Sequence, residues 1–269
     1  MSLTLDHLVI LVRDLEQTIA DYTALGFTVQ RGGTHADGAT HNALVGFADG
    51  SYLELIAFLT PSTTHRWAKA HASGIEGFVD FALLPSSVGA VVDAARGRGL
   101  VYAGPLDGGR VRPDGERLAW QIGTPPSPDL PFLCGDLTPR DLRVREGEVR
   151  VHPNGVQGVA SITLAVADLE ASLGRYRALL GPETTQGVNP IALPGLSVHI
   201  APLSLGTSTL VLVSPGPKGE DDAGNALRRV LAERGDGLLA ITLHSTAAPD
   251  PRALPLPLTH GARIELAPA

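Results

Sequence analysis

The sequence predicts an α+β fold built from repeated β-α-β-β-β units. A twelve-residue segment that begins at Leu5, LDHLVILVRDLE, recurs at Val159 as VASITLAVADLE, 154 residues later. Each copy joins an alternating apolar run, typical of a strand, to a helical pattern that ends at a glycine. A weaker copy places Asp80 where the first has His7, and a fourth begins at Gly237. The repeats therefore predict four related units.

The first unit begins with a predicted strand over residues 5–12 and a predicted helix over residues 14–25. Asp14 is expected to cap the helix, because its short carboxylate can accept hydrogen bonds from the free N–H groups of the first turn. Gly26 suits the left-handed conformation that ends many helices. The copy at Val159 has the same residue types at the same places, which supports a common local structure.

Three further strands complete the first unit, over residues 27–31, 40–47 and 51–58. Asp49-Gly50 is a strong hairpin signal between the last two. The final strand contains Glu54 in the sequence Tyr-Leu-Glu-Leu-Ile. Since the first and last strands of such a unit bracket its helix, His7 and Glu54 are expected to share one face of the sheet.

The later units predict the division of the chain. Residues 1–140 hold two units, the polar stretch 141–156 is the predicted linker, and residues 157–269 form the second half. In the fourth unit the prolines exclude an ordinary helix after the first strand, so this unit is expected to be degenerate. These prolines are Pro249, Pro251, Pro255 and Pro257.

The charge composition of the chain indicates which classes of binding partner to expect. The net charge is −7, and the only lysines are Lys69 and Lys218. Without a basic cluster, nucleic acid and anionic membranes are not expected as partners. No apolar run approaches the ~20 residues needed to cross a bilayer. The single cysteine, Cys134, excludes an internal disulfide, and we expect a soluble, cytoplasmic protein.

Several short motifs occur in a particular order: Asp-His-Leu-Val at residues 6–9, Asp-Leu-Glu at 14–16, Ala-Thr-His-Asn-Ala at 39–43 and Tyr-Leu-Glu-Leu-Ile at 52–56. In this order they resemble the vicinal oxygen chelate superfamily of glyoxalases and extradiol dioxygenases, and more narrowly the glyoxalase-like domain proteins. The resemblance extends over most of residues 3–215. It implies mixed sheets curved into half-open cups, with a metal or a small-molecule substrate inside.

The residues suggest a metal site in the first cup. His7 and Glu54 offer an imidazole and a carboxylate, which suit Zn, Fe, Mn or Ni as divalent ions. His41, on a neighbouring predicted strand, would add a second imidazole as ligand or acid–base group. The resemblance implies a metal-dependent lyase, isomerase or dioxygenase acting on a small oxygenated substrate, with His41 and Glu54 as catalytic residues.

Other interpretations stay open at this stage. His7 is also explained as a hydrogen-bonded core histidine, and Glu54 as the partner of Arg66. A third metal ligand is ambiguous, because the second unit offers Asp80, Cys134 or Asp136. In the repeat from Val159, Ser161 stands in place of His7 and Val211 in place of Glu54, so a structural role is expected there.

The sequence also predicts which residues line the pocket. Asn42, Trp67, Asp80 and Trp120 are expected to line the cup, whereas His35 is expected in solvent. The alternative to an enzyme is a metal-free protein that sequesters a small molecule, as bleomycin-resistance proteins do. The chain either completes its cups alone or pairs with a second copy as a homodimer.

Overall fold

The computed structural model describes residues 3–217 and 222–269. The first half contains two successive units that begin with a strand and a helix and continue with three strands. Its elements are β1 (Thr4–Leu11), α1 (Leu15–Ala24), β2 (Gln30–His35), β3 (Thr40–Gly46), β4 (Tyr52–Phe58), α2 (Ala68–Ala72), β5 (Gly77–Leu84), α3 (Val88–Gly97), β6 (Ala103–Val111), β7 (Arg117–Thr124), β8 (Phe132–Asp136) and α4 (Arg140–Arg143).

The sheet of the first half curves until it closes on itself, with the strand order β1-β4-β3-β2-β6-β7-β8-β5. Within the first unit β1 runs parallel to β4, and Val9 pairs with Glu54. Two residue pairs, Thr34 with Val111 and His35 with Arg110, join β2 to β6. The curved mixed sheet was predicted, but closure by this short β2–β6 contact was not.

The helix caps form as predicted. The Asp14 side chain accepts a hydrogen bond of 3.0 Å from the backbone N–H of Gln17, and Gly26 follows α1 with a φ of +85°. Asp168 repeats the arrangement in the second half, accepting from the N–H of Ala171. These local signals are readable from sequence because each depends on residues within one turn.

The second half forms a seven-stranded open sheet with the order β10-β11-β12-β9-β13-β15-β14. Its elements are β9 (Val156–Ala165), α5 (Leu169–Leu180), α6 (Pro182–Thr185), β10 (Ile191–Leu193), β11 (Val198–Leu205), β12 (Ser208–Pro215), α7 (Asp222–Arg234), β13 (Gly237–Ser245), β14 (Arg252–Ala253) and β15 (Ile264–Pro268). No helix follows β13 in this part of the chain, as the prolines predicted.

Helix α7 was not expected from the repeat pattern, and it covers part of the second sheet. Leu227 packs with Ala165 and Val198 in a small apolar cluster that also includes Leu231 and Val213. The sheet face that corresponds to a cup in the first half is therefore partly occupied by the chain itself.

The predicted linker is packed rather than extended into solvent. His152 is buried, accepts a hydrogen bond of 3.0 Å at Nδ1 from the N–H of Thr28 and donates from Nε2 to the carbonyl of Gly46 at 2.9 Å. One apolar core extends through both halves and contains Tyr22 and Tyr176 alike. None of the helices in residues 3–217 and 222–269 combines the length and apolar character needed to cross a membrane.

Candidate functional site

A cavity of about 250 Å³ opens inside the barrel of the first half. Its walls combine apolar side chains with histidines, arginines and carboxylates. The side chains that line it include His7, His35, Thr40, Asn42, Tyr52, Glu54, Trp67, Arg110, Trp120, Phe132 and Arg143. Such a mixture of apolar walls and converging polar groups is typical of small-molecule sites.

His7 and Asp6 stand side by side because β1 is irregular at this point. The pairing of β1 with β5 shifts between Leu5 and His7, so one extra residue is accommodated in β1. A bulge of this kind redirects a side chain that would otherwise point to the opposite face. The Nδ1 atom of His7 lies 2.7 Å from Oδ2 of Asp6 and donates to it, and the imidazole stacks on Tyr52 with 4.6 Å between ring centroids.

Asp6 is held by cations on its other side. Arg143 Nη1 lies 2.8 Å from Oδ2 and Arg140 Nη1 2.7 Å from Oδ1 of this fully buried carboxylate. Burial by itself would raise the pKa of Asp6, but Arg143, His7 and Arg140 together hold it well below its ordinary value. Asp6 is therefore ionised and fixes the orientation of the His7 ring.

Glu54 lies between two imidazoles. His7 Nε2 is 3.5 Å from Oε2, and His35 Nε2 is 3.5 Å from Oε1. Burial would raise the pKa of Glu54, but His35 and His7 hold it well below 4.5. Burial would lower the pKa of His7, but Asp6 and Glu54 raise it above 6.5. The two pKa values are thus pushed apart, which favours an ionised Glu54 beside a protonated His7.

The structure corrects the assignment of the histidines in the first unit. His35 faces the cavity rather than solvent, is hydrogen bonded through Nδ1 to Thr40 Oγ1 at 2.8 Å, and meets the Trp120 ring edge-on. His41 does not line the cavity, and its electrostatic neighbours are Glu16, Arg31 and His35. Side chains alternate along β3, so a strand that turns Asn42 inward must turn His41 outward.

Asn42 connects Glu54 to an arginine of the second unit. Its amide nitrogen donates to Glu54 Oε1, and its amide oxygen accepts a hydrogen bond of 2.9 Å from Arg110 Nη1. A Cβ on Gly32 would collide with Asn42 Oδ1 and Arg110 Nη1. The absence of a side chain at Gly32 therefore leaves room for these two side chains.

Of the remaining predicted pocket residues, Trp67 and Trp120 line the cavity and Asp80 does not. Asp80 pairs with Arg66 at 2.6 Å and accepts a hydrogen bond of 3.0 Å from Trp67 Nε1. Asp80 therefore contacts the cavity-lining side chains of Arg66 and Trp67 without lining the cavity itself. The same contact corrects the alternative that paired Arg66 with Glu54.

In this structure the polar side chains of the cavity pair with one another: Glu54 contacts His7, His35 and Asn42. Among the residues that the structure describes, no three His, Cys, Asp or Glu side chains are grouped to hold an ion. In the second unit, Asp80 is bound to Arg66, and Cys134 is buried among apolar residues that raise its thiol pKa. The guanidinium of Arg110 also approaches Glu54 through Asn42, which disfavours a second cation there.

Sequence reasoning missed Asp6, Arg110 and Arg143. An Asp-His pair inside an apolar strand was a signal for Asp6, since two adjacent polar residues break strict alternation. Arg143 falls in the predicted linker, and Arg110 lies on a strand with no apolar pattern. Neither arginine has a local signal, because only closure of the barrel brings them to β1 and β3.

Comparison with known proteins identifies the family. The sequence profile described as "Glyoxalase-like domain" matches residues 5–180 of the chain. The chain belongs to the glyoxalase-like domain family. The resemblance found in the sequence is thereby confirmed. No protein of curated function matched the sequence.

Solved structures show the same fold at low identity. The glyoxalase-like chain is similar to a hypothetical protein from Staphylococcus aureus, with a TM-score of 0.72, 13% identity, and coverage of 99% of this chain and 100% of that one. It is similar to a triple mutant of 4-hydroxymandelate synthase from Streptomyces coelicolor, with a TM-score of 0.59, 14% identity, and coverage of 91% and 71%. These likenesses establish the vicinal oxygen chelate fold, and fold alone does not assign an activity.

Proposed function

We propose that this glyoxalase-like protein is an enzyme that transfers protons on a small oxygenated substrate, as an isomerase or lyase does. The observation that supports this most is the position of Glu54, 6% exposed, between the Nε2 atoms of His7 and His35. Groups whose environments drive their pKa values apart are suited to act as an acid and base pair. Here Glu54 is the base and His7 is the acid.

In the proposed step Glu54 removes a proton from a carbon next to a substrate carbonyl. The electron pair of that C–H bond moves into the carbonyl, and His7 donates its Nε2 proton to the oxygen to give an enol. Return of a proton to carbon restores the carbonyl and either exchanges the hydrogen or inverts the carbon. Acid–base help of this kind typically accelerates a reaction about 10²–10⁴-fold.

The contacts of Glu54 explain how an ionised carboxylate becomes basic enough. Its low pKa depends on the two histidines. When a substrate oxygen takes over the hydrogen bond from His7, Glu54 loses one of these contacts and its pKa rises towards the ordinary value. Asp6 retains the His7 ring in place during this exchange, because its bond to Nδ1 is independent of the substrate.

No step of the proposed mechanism is assigned to a divalent metal. Elemental analysis of untagged protein and of the His7→Ala and Glu54→Gln variants tests this. Near-stoichiometric metal in the wild type that is lost in both variants would replace the mechanism with a metal-dependent one. Metal at trace level in all three proteins is expected.

The test of proton transfer is hydrogen–deuterium exchange. Phenylacetone and phenylpyruvate are incubated with the protein in D₂O, and loss of the C–H signal beside the carbonyl is followed by proton NMR. We expect exchange above background with at least one probe, and its loss in Glu54→Gln. Glu16→Gln, on the exposed face of α1, is the matched control and should exchange like the wild type.

The second candidate is sequestration of a small molecule without chemistry. Trp67, Trp120 and Phe132 favour it, because three aromatic side chains in one cavity suit a planar ligand. Binding of both probes without exchange above background would support sequestration over catalysis.

A further inference from the structure

Arg110 is a buried cation without an anionic partner. Its side chain is 4% exposed on β6, donates from Nη1 to Asn42 at 2.9 Å and from Nη2 to the carbonyl of Arg143 at 3.2 Å. The Nε atom has no hydrogen-bond partner. Within residues 3–217 and 222–269, no carboxylate lies within ion-pair distance of this guanidinium.

Neighbouring arginines differ in this respect. Arg143 pairs with Asp6 and Asp136, and Arg66 pairs with Asp80. A buried charge is costly unless it is paired, since desolvation removes several kcal/mol of hydration per ion. Burial lowers the pKa of Arg110, but a guanidinium stays protonated in proteins, so Arg110 does not escape this cost by losing its proton. Arg110 therefore has no negative charge in direct contact, and Glu54 acts on it only at longer range, through Asn42.

A ligand bound in the cavity can supply that negative charge, since Arg110 is one of the residues that line the cavity. We propose that the cavity binds a small organic carboxylate whose anionic group pairs with Arg110 and whose apolar body lies against Trp120 and Phe132. This deepens the proposed function and rests on it for the claim that the bound acid is the substrate. A planar carboxylate matches the forked donors of a guanidinium.

The size and charge of the cavity limit the ligand. About 250 Å³ admits a body of roughly one ring, and Trp120 and Phe132 line the same cavity as Arg110. The Glu54 carboxylate lies one amide side chain away, through Asn42. Its negative charge disfavours a phosphate dianion more than a singly charged carboxylate. A carboxylate bound to Arg110 also brings its neighbouring carbon towards the proposed base.

The protein contains two tryptophans, Trp67 and Trp120, and both line the cavity. Intrinsic fluorescence therefore reports on the site without any need for turnover. The probes are phenylacetate and its neutral counterpart phenylacetamide, with acetate and inorganic phosphate as smaller anions. We expect phenylacetate to bind about tenfold or more tightly than phenylacetamide, as for a charge-assisted hydrogen bond.

Arg110→Gln should abolish this preference, whereas Arg117→Gln, an exposed arginine on β7, should retain it. Arg110→Lys keeps the positive charge and should retain part of the preference for phenylacetate. If Arg110→Gln does not fold, the wild-type comparison still decides. Equal affinity for acid and amide, or no saturable response to acetate and phenylacetate, would overturn the proposal, as would tighter binding of phosphate than of phenylacetate.

Failure of this inference can be separated from failure of the proposed function. Glu54→Gln should lose exchange but keep phenylacetate binding. Carboxylate binding without exchange on any probe would contradict proton transfer alone. Exchange on phenylacetone with no preference for the acid would contradict the carboxylate site alone.

Discussion

Asp6 and His7 are neighbours in β1, yet both side chains are buried on the same side of the strand and are hydrogen bonded at 2.7 Å. The bulge between Leu5 and His7 makes this possible. The pair links two parts of the chain, because Asp6 also binds Arg143 beyond the barrel strands. The orientation of the proposed acid is thereby coupled to a segment that the sequence marked as a linker.

Asp6→Asn should therefore lower both stability and the pKa of His7. Asp6→Asn leaves Asp136 as the remaining carboxylate partner of Arg143 and Arg140, and removal of one member of a buried ion-pair network typically costs ~3–5 kcal/mol in the free energy of unfolding. Urea unfolding measures this loss, and NMR titration of the His7 ring measures its pKa. Asp93→Asn, in an exposed pair with Arg96, should change neither. A His7 pKa in Asp6→Asn that is unchanged from the wild type would contradict the positioning role of Asp6.

Stability should depend on pH in a direction that follows from the carboxylates. The pKa values of Asp6 and Glu54 are lowered in the folded state, from 3.8 and 4.5. The two carboxylates contribute fully to the free energy of unfolding above their ordinary pKa values of 3.8 and 4.5. This contribution is lost as the pH falls from there towards the lower pKa values of the folded state. Urea unfolding at a series of pH values should show stability falling below about pH 4.5. The fall should be shallower in Glu54→Gln.

His7 should act in the opposite direction at higher pH. Its folded-state pKa is raised above 6.5, so its contribution is complete below 6.5 and is lost as the pH rises through the raised value. The same series extended upward should show a decline that His7→Gln lacks. A decline of equal size in the variant would assign it to another group.

Gly32→Ala tests the contact between Asn42 and Arg110. The added methyl group meets both side chains, and overpacking of this kind typically costs ~1–3 kcal/mol in unfolding free energy. The matched control is Gly174→Ala inside α5, where a Cβ meets nothing within 4 Å. There the helix should gain ~0.5–1 kcal/mol. Thermal or urea unfolding compares the two, and equal effects would argue against crowding at Gly32.

The two histidines of the β2–β3 hairpin offer a direct comparison. His35→Gln should lower the exchange rate and alter its pH profile, because His35 contacts Glu54. His41→Gln should leave the rate and profile unchanged, because His41 faces away from the cavity. Rates in D₂O across a pH series measure both. A large effect of His41→Gln alone would reinstate the assignment suggested by sequence.

Much of the fold was predictable because its signals are local. The strand, helix and cap pattern from Leu5 recurs at Val159, and each helix start depends on one carboxylate within one turn. The positions of His7 and Glu54 followed from the order of strands in the unit. Helix α7 was not predictable in this way, because it is an addition to the repeat, and its apolar residues Leu227 and Leu231 pack on the second sheet.

The sequence by itself determined the family and the repeated units, and it predicted five residues that line the cavity: His7, Asn42, Glu54, Trp67 and Trp120. Tertiary structure decided the rest: the bulge that turns Asp6 towards His7, the inward face of His35 and the meeting of Arg110 with Asn42 across the closed barrel. Periodicity assigns faces only while a strand is regular, and it does not show which distant strands will pair. Closure of the barrel determines these contacts, because it brings Asn42 and Arg110, which are 68 residues apart in sequence, into contact.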